Sequence, residues 1–249
     1  MKIIAVYSIK GGVGKTAAAV NLAYEASQAG YQTLLCDLDP QGASSFYFRV
    51  SASKKQKSKW FFSQSYKLFQ HVKASDYPLL DILPAKLSYR HFDIKLGAFK
   101  KSPQKQIARL LKPLKKHYDV IFLDCPPSIS LLSENVFHAA DIIMVPVIPT
   151  TLSERTLNQL VNFFQEKSLD ESKIHPFFSM AQASKKLHQQ SEARIKMHFN
   201  SIISQSIPFC AEIENMGIHQ KPVATFAPKK SGAIAYQTLW KKIESYYLA

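Results

Sequence analysis

Lys10-Gly11-Gly12-Val13-Gly14-Lys15-Thr16 stands between an apolar run, Lys2 to Ser8, and a helical pattern, Thr16 to Ala29, that Gly30 ends. Glycines at a strand-to-helix junction let the backbone wrap around phosphates with its N–H groups turned inward. The helix dipole favours negative charge at the same place. In this reading Lys15 reaches the β- and γ-phosphates of a nucleotide and the Thr16 hydroxyl holds Mg²⁺. The plainer alternative, a glycine-rich turn with no ligand, is disfavoured by the Lys-Thr ending together with the strand before it and the helix after it.

Outward from this loop, strands and helices alternate. Gln32–Cys36, Leu79–Leu83, Val120–Leu123, Ile142–Val147 and Pro176–Met180 read as strands. Pro103–Lys116, Ser128–Ala140, Ser153–Lys167, Lys185–Ile203 and Gly232–Tyr247 read as helices, with Pro113 ending or kinking the first. Such alternation implies an α/β fold, a doubly wound, mostly parallel sheet with helices on both faces, whose function lies at the C-terminal strand ends. One domain over residues 1–249 is expected. The lysine-rich stretch 51–75 looks inserted, and Trp60, Phe61 and Phe62 within it argue against a plain linker.

The chain has 249 residues, 32 basic and 18 acidic, and a formal net charge of +14. A hydrophobic content of 46% excludes general disorder. No apolar run reaches the ~18 residues of a membrane span, and the first residues lack a signal-peptide layout. Cys36, Cys125 and Cys210 are too widely spaced for a zinc site and odd in number, which suits a reducing cytoplasm. The positive charge is uneven: Ser51–Ser75 has six lysines, and Lys95–Lys116 eight basic residues, without one acid in either. Any one such run reads most simply as a solvated face; together they point to a polyanionic partner, nucleic acid or an anionic membrane.

Ile9 stands where the strict G-x-x-x-x-G-K-[ST] pattern has its first glycine, and Lys10 precedes the double glycine. In this the chain resembles the deviant-Walker ATPases of the ParA/MinD family. The resemblance extends to Asp37-Leu38-Asp39-Pro40-Gln41-Gly42, similar to a ParA-like switch I, and to Tyr118–Ser128, similar to Walker B and switch II. It also takes in Ala139-Ala140-Asp141, Ile207-Pro208, Lys221-Pro222 and Gly232-Ala233, and so runs across nearly the whole chain, weakest over 43–78. The resemblance implies a P-loop NTPase with ATP and Mg²⁺ as cofactors. It implies nucleotide contacts from Lys10, Gly11, Gly12, Val13, Gly14, Lys15, Thr16 and Ala17, and metal ligation by Thr16 and, through water, Asp124. Lys10, Lys15 and Asp39 are then catalytic, Asp39 orienting or deprotonating the attacking water. Lys10 would cross an ATP-bound homodimer to the partner's phosphates, an arginine-finger role worth ~10³–10⁵ in rate. The resemblance further implies slow turnover, stimulation by a ParB-like or cargo adaptor protein, nonspecific DNA binding, and a cytoplasmic, nucleoid-associated location.

Several positions depart from that pattern. Ala17 replaces a second hydroxyl, at a cost of about 0.5–1.5 kcal/mol in an α-phosphate contact. Phe209, Cys210, Ala211 and Glu212 stand where DNA-binding relatives carry basic residues, Ser184 where another arginine is common, and Asn215 where the family often has Glu. Lys229 and Lys230 remain, and Lys185, Lys186, Arg194 and Lys196 on one helix are candidate replacements for DNA contact. The alternative is a membrane- or protein-docked positioning ATPase without DNA, which Phe209, Glu212 and the aromatic terminal helix favour. That helix is nonetheless expected to dock onto its own sheet. An Fe–S reductase component lacks its paired cysteines, and an amidoligase is disfavoured by the Asp-Pro-Gln-Gly switch.

Overall fold

The computed structural model describes residues 1–53 and 68–248; most of the lysine-rich stretch, with Trp60, Phe61 and Phe62, lies outside the described residues. Eight strands form one sheet: β1 (Lys2–Val6), β2 (Thr33–Asp37), β3 (Lys73–Ala74), β4 (Leu80–Leu83), β5 (Val120–Asp124), β6 (Ile142–Val147), β7 (Ile174–Ala181) and β8 (Ser206–Pro208). Their order is β3-β4-β2-β5-β1-β6-β7-β8. All pairings are parallel except β3 with β4 at the edge.

The central strands are buried on both faces, so their side chains alternate between two cores. Ile4, Val6, Leu35, Phe122 and Met144 face α1 (Lys15–Gln28) and the terminal helix. Ile3, Ala5, Leu34, Ile121 and Ile143 face the opposite way. There they are covered by α3 (Phe92–Gly97), α4 (Gln106–Leu111), α5 (Leu131–Ala139), α6 (Thr151–Glu166) and α7 (Lys186–His198). A short α2 (Ala43–Tyr47) follows β2, and α8 (Ala211–Glu214), α9 (Met216–His219) and α10 (Ser231–Tyr247) close the described chain. Helices on both faces of a mostly parallel sheet are the doubly wound α/β arrangement.

Three expected elements change shape. The helix expected over 103–116 splits into a 3₁₀ turn (Pro103–Lys105), α4 and a second 3₁₀ turn (Lys112–Lys116), because Pro113 has no N–H to continue the α ladder. The helix expected over 185–203 ends at His198, where Phe199 turns extended, and the Ile203 N–H reaches the Pro176 carbonyl at 2.8 Å. The strand expected at 176–180 runs from Ile174 to Ala181. The terminal helix docks inward, burying Tyr236, Leu239, Trp240 and Ile243. No helix among the described residues is long and apolar enough to cross a membrane.

Candidate nucleotide site

The loop from β1 to α1 has its sharp turns at Gly12 (φ +68°) and Gly14 (φ +86°), left-handed positions that favour glycine. A Cβ at Gly11 or Gly12 would meet nothing within 4 Å, whereas one at Gly14 would come within 2.9 Å of Ser179 Oγ. The loop is open toward solvent and closed beneath, the shape of an anion cradle. Val13 is buried under it, and Ala17 packs on the second core. Lys15 is buried and donates from Nζ to the Lys10 carbonyl at 3.1 Å. Burial lowers the Lys15 pKa, against the opposing fields of Asp124, Cys125 and Asp39.

Asp37 and Asp124 end the neighbouring strands β2 and β5 in direct register. Burial pushes both carboxyls above the usual carboxylate range. The Asp124 charge adds to that for Asp37, while hydrogen bonds from Ser44 and Thr16 oppose it for Asp124. One oxygen of each acid, Oδ1, is buried without a hydrogen-bond partner among the described residues. A half-satisfied buried carboxylate with the Thr16 hydroxyl beside it suits a hydrated divalent cation, so Thr16 and Asp124 fit the role expected of them. Asp37 is held from behind: its Oδ2 accepts from the Ser45 N–H at 2.8 Å and the Ser45 hydroxyl at 2.7 Å. Asp39 lies at the mouth, half-buried, with Oδ1 accepting from the Gln41 N–H at 2.9 Å. Lys10 is half-buried at the start of the loop, its N–H on Ser8 Oγ at 3.3 Å.

Two residues of this cluster carry no sequence expectation. The Ser44 hydroxyl donates to Asp124 Oδ2 at 2.6 Å, and the Ser45 hydroxyl accepts from the Ala85 N–H at 2.9 Å. Their available signal is two adjacent hydroxyls directly after Asp-Pro-Gln-Gly, where a short helix starts at left-handed Gly42.

The candidate DNA residues are dispersed. Lys185 and Lys186 are exposed at the start of α7. Arg194 is paired with Glu154 of α6 at 3.3 Å, and Lys196 with Glu192 at 3.6 Å while lying over the Phe178 ring. Lys229 and Lys230 are exposed just before α10. Phe209 is 47% exposed. Glu212 serves the fold: its Oε1 accepts from the Ser231 hydroxyl and the Gly232 N–H, both at 3.1 Å, at the N-terminus of α10. Chiefly the Gly232 bond holds that carboxyl below its ordinary pKa.

A family described as an AAA domain matches residues 1–175. The chain is 29% identical over 248 residues to the sporulation initiation inhibitor protein Soj of Bacillus subtilis, covering 97% of this chain and 98% of that one. It is 25% identical to the chromosome partitioning protein ParA of Caulobacter vibrioides, covering 98% and 94%. Two solved structures share the fold. The septum site-determining protein MinD of Pyrococcus horikoshii, complexed with Mg-ADP, has a TM-score of 0.80 at 20% identity, covering 98% and 96%. Cobyrinic acid a,c-diamide synthase of Mycobacterium smegmatis, with bound ADP and magnesium, has 0.82 at 21%, covering 100% and 96%.

Proposed function

The chain belongs to the ParA/MinD-type P-loop ATPase family, and from that membership we propose that it is an ATP-dependent dimerising switch. It is a slow ATPase that, when ATP-bound, holds DNA nonspecifically to segregate DNA or position a cargo. One ParA-like domain over 1–249, working in the cytoplasm, belongs to the same reading. The observation that carries it is the meeting of Lys15, Thr16 and Asp124 under an open glycine loop, with Asp39 at its mouth.

In this reading the backbone N–H groups of Gly11 to Ala17 bind the phosphates, and Lys15 sets its charge against the β- and γ-phosphates. Mg²⁺ held by Thr16 and, through water, by Asp124 supplies neutralisation of phosphate charge. Asp39 orients the water that attacks the γ-phosphate or takes its proton, giving ADP and phosphate. Lys10 of each subunit adds positive charge at the partner's phosphates, so hydrolysis requires the dimer. An adaptor protein accelerates that step, and hydrolysis dissolves the dimer. The half-buried α-phosphate end of the loop at Ala17 lacks a hydroxyl, so affinity is moderate rather than abolished.

The test is Asp39→Ala with ATP, followed by light scattering and by retention on arbitrary duplex. A trapped dimer that holds DNA supports the switch; a variant that stays monomeric with ATP bound refutes it. A protein-docked positioning ATPase without DNA is the second reading, favoured by the exposed Phe209 ring. In that case the trapped dimer forms and ignores DNA. Insertion of α10 into a lipid surface is disfavoured, because Tyr236, Leu239, Trp240 and Ile243, most of its large apolar side chains, are buried in the core.

A further inference from the structure

The crossover from β4 to β5 carries the acid-free stretch richest in Lys and Arg among the described residues. Residues 94–118 contain no Asp or Glu. Its two 3₁₀ turns and α4 form one helical path, and along it Lys105, Arg109, Lys112 and Lys116 follow at steps of four, three and four residues, all exposed. Ile107, Leu110, Leu111 and Leu114 occupy the other side and are buried in the first core. The stripe is therefore basic outward and apolar inward, with nothing apolar left over: between Ile94 and Ile129 no large hydrophobic side chain is exposed.

The stripe is neither neutralised nor loose. None of its four side chains has a carboxylate within ion-pair distance among the described residues. The acids nearby are engaged elsewhere: Asp93 accepts from the Leu132 N–H, Asp141 from the Ile3 N–H, and Glu134 pairs with Lys167. After burial, the fields of Lys105 and Lys173 hold the His138 pKa below its ordinary value, as a locally positive surface requires. Asn135 of α5 caps the stripe's helix, its Oδ1 accepting from the N–H groups of Gln106 at 2.7 Å and Ile107 at 3.2 Å. Gln106 Nε2 in turn ties down the preceding loop through the Lys101 and Ser102 carbonyls.

We infer that this stripe is a docking surface for the phosphate backbone of duplex DNA, in place of the α7 positions where Arg194 and Lys196 are already paired. The inference rests on the DNA-binding reading above and gives it a location. At ~1.5–2 Å per residue, Lys105 to Lys116 spans roughly 17–22 Å, about half a helical turn of duplex. A lipid surface fits less well, because membrane-surface helices pair their basic residues with exposed apolar ones. Two stripes in a dimer act on one polyanion with added avidity, so a site far from the nucleotide still answers to ATP through dimerisation.

The test uses the full chain with a nonhydrolysable ATP analogue and arbitrary duplex, titrated with salt. The combined variant Lys105→Gln, Arg109→Gln, Lys112→Gln and Lys116→Gln is compared with Lys185→Gln and Lys186→Gln. Analogue binding checks that each is folded, and the four single changes give graded effects if the combined variant does not fold. Loss of four contacts flattens the salt slope by roughly 3.6 for each stripe engaged, so the affinity ratio between 50 and 200 mM salt shrinks about 150-fold per stripe, while the Lys185 and Lys186 variant keeps its slope. A stripe variant with an unchanged slope overturns the location and leaves DNA binding standing. Wild type that binds the analogue but no duplex overturns both. Wild type that binds anionic vesicles instead, and loses them in the stripe variant, overturns the choice of DNA.

Discussion

The Ser44 hydroxyl lies 2.6 Å from Asp124 Oδ2, fastening the segment after Asp39 to the strand end that carries the candidate metal ligand. Because Asp124 is fully buried, its ionised form depends on such donors. Ser44→Ala removes one and is expected to cost about 1–3 kcal/mol of stability at neutral pH. The bond favours the carboxylate, so the loss fades in acid, where the carboxyl is protonated with or without Ser44. Urea unfolding of both proteins at pH 7.5 and near pH 4 measures the difference; equal stability at pH 7.5 would show the bond to be weak.

Lys15 is a buried cation held by one carbonyl, with its pKa lowered by burial. Lys15→Met removes the charge and keeps much of the aliphatic volume. Nucleotide-free protein should then be as stable as wild type or more so, while ATP-analogue binding disappears. Calorimetric titration and thermal melting read the two effects separately, and retained analogue binding would refute the phosphate site.

Glu25, on the face of α1 that meets the terminal segment, has its pKa raised to about 7 by burial, with Lys241 opposing the shift. An acid raised on folding is favourable when protonated, so its contribution is present below pH ~4.5 and lost as pH rises through about 7. Glu25→Gln should flatten that part of the pH–stability curve and raise the melting temperature by a few degrees at pH 8. An unchanged melting temperature at pH 8 would place Glu25 in contact with water.

Glu212 caps α10 through Ser231 and Gly232. Glu212→Ala should lower stability by about 1 kcal/mol, whereas Glu212→Lys, which also restores a basic residue, should lower it further. Chemical unfolding gives the magnitudes. A stabilised Glu212→Lys variant would show that the departure is not structural.

The phosphate loop was legible because its chemistry is written in residue types: only glycine takes the turns at 12 and 14, and Lys15 and Thr16 follow at fixed offsets. The sheet was legible because both faces of its central strands are buried, leaving runs such as Val120–Leu123 with no polar interruption. The edges were not. Strands of two residues at β3 and three at β8 are too short to establish a period, and both exist because neighbouring strands offer open edges. The end of α7 was missed because Phe199 to Ile203 keeps an apolar helical rhythm while the Pro176 carbonyl draws the chain away. Ser44 and Ser45 were invisible for another reason: a hydroxyl signals nothing until the carboxylate it serves is brought beside it. The pairing of Arg194 with Glu154 likewise required two helices to be placed together.

Asn21 of α1 receives the Val223 N–H at 2.8 Å and donates to the Met216 sulfur, two contacts made across about two hundred residues of chain. The helix that begins at the phosphate loop therefore keeps one side uncovered while the intervening chain is being made. At a synthesis rate of ~5–20 residues per second that interval is roughly 10–40 s. During it the emerging protein presents a sticky alanine- and leucine-lined flank to its surroundings. Only when the segment carrying Met216 and Val223 has emerged can the helix that follows the glycine loop reach its covered state.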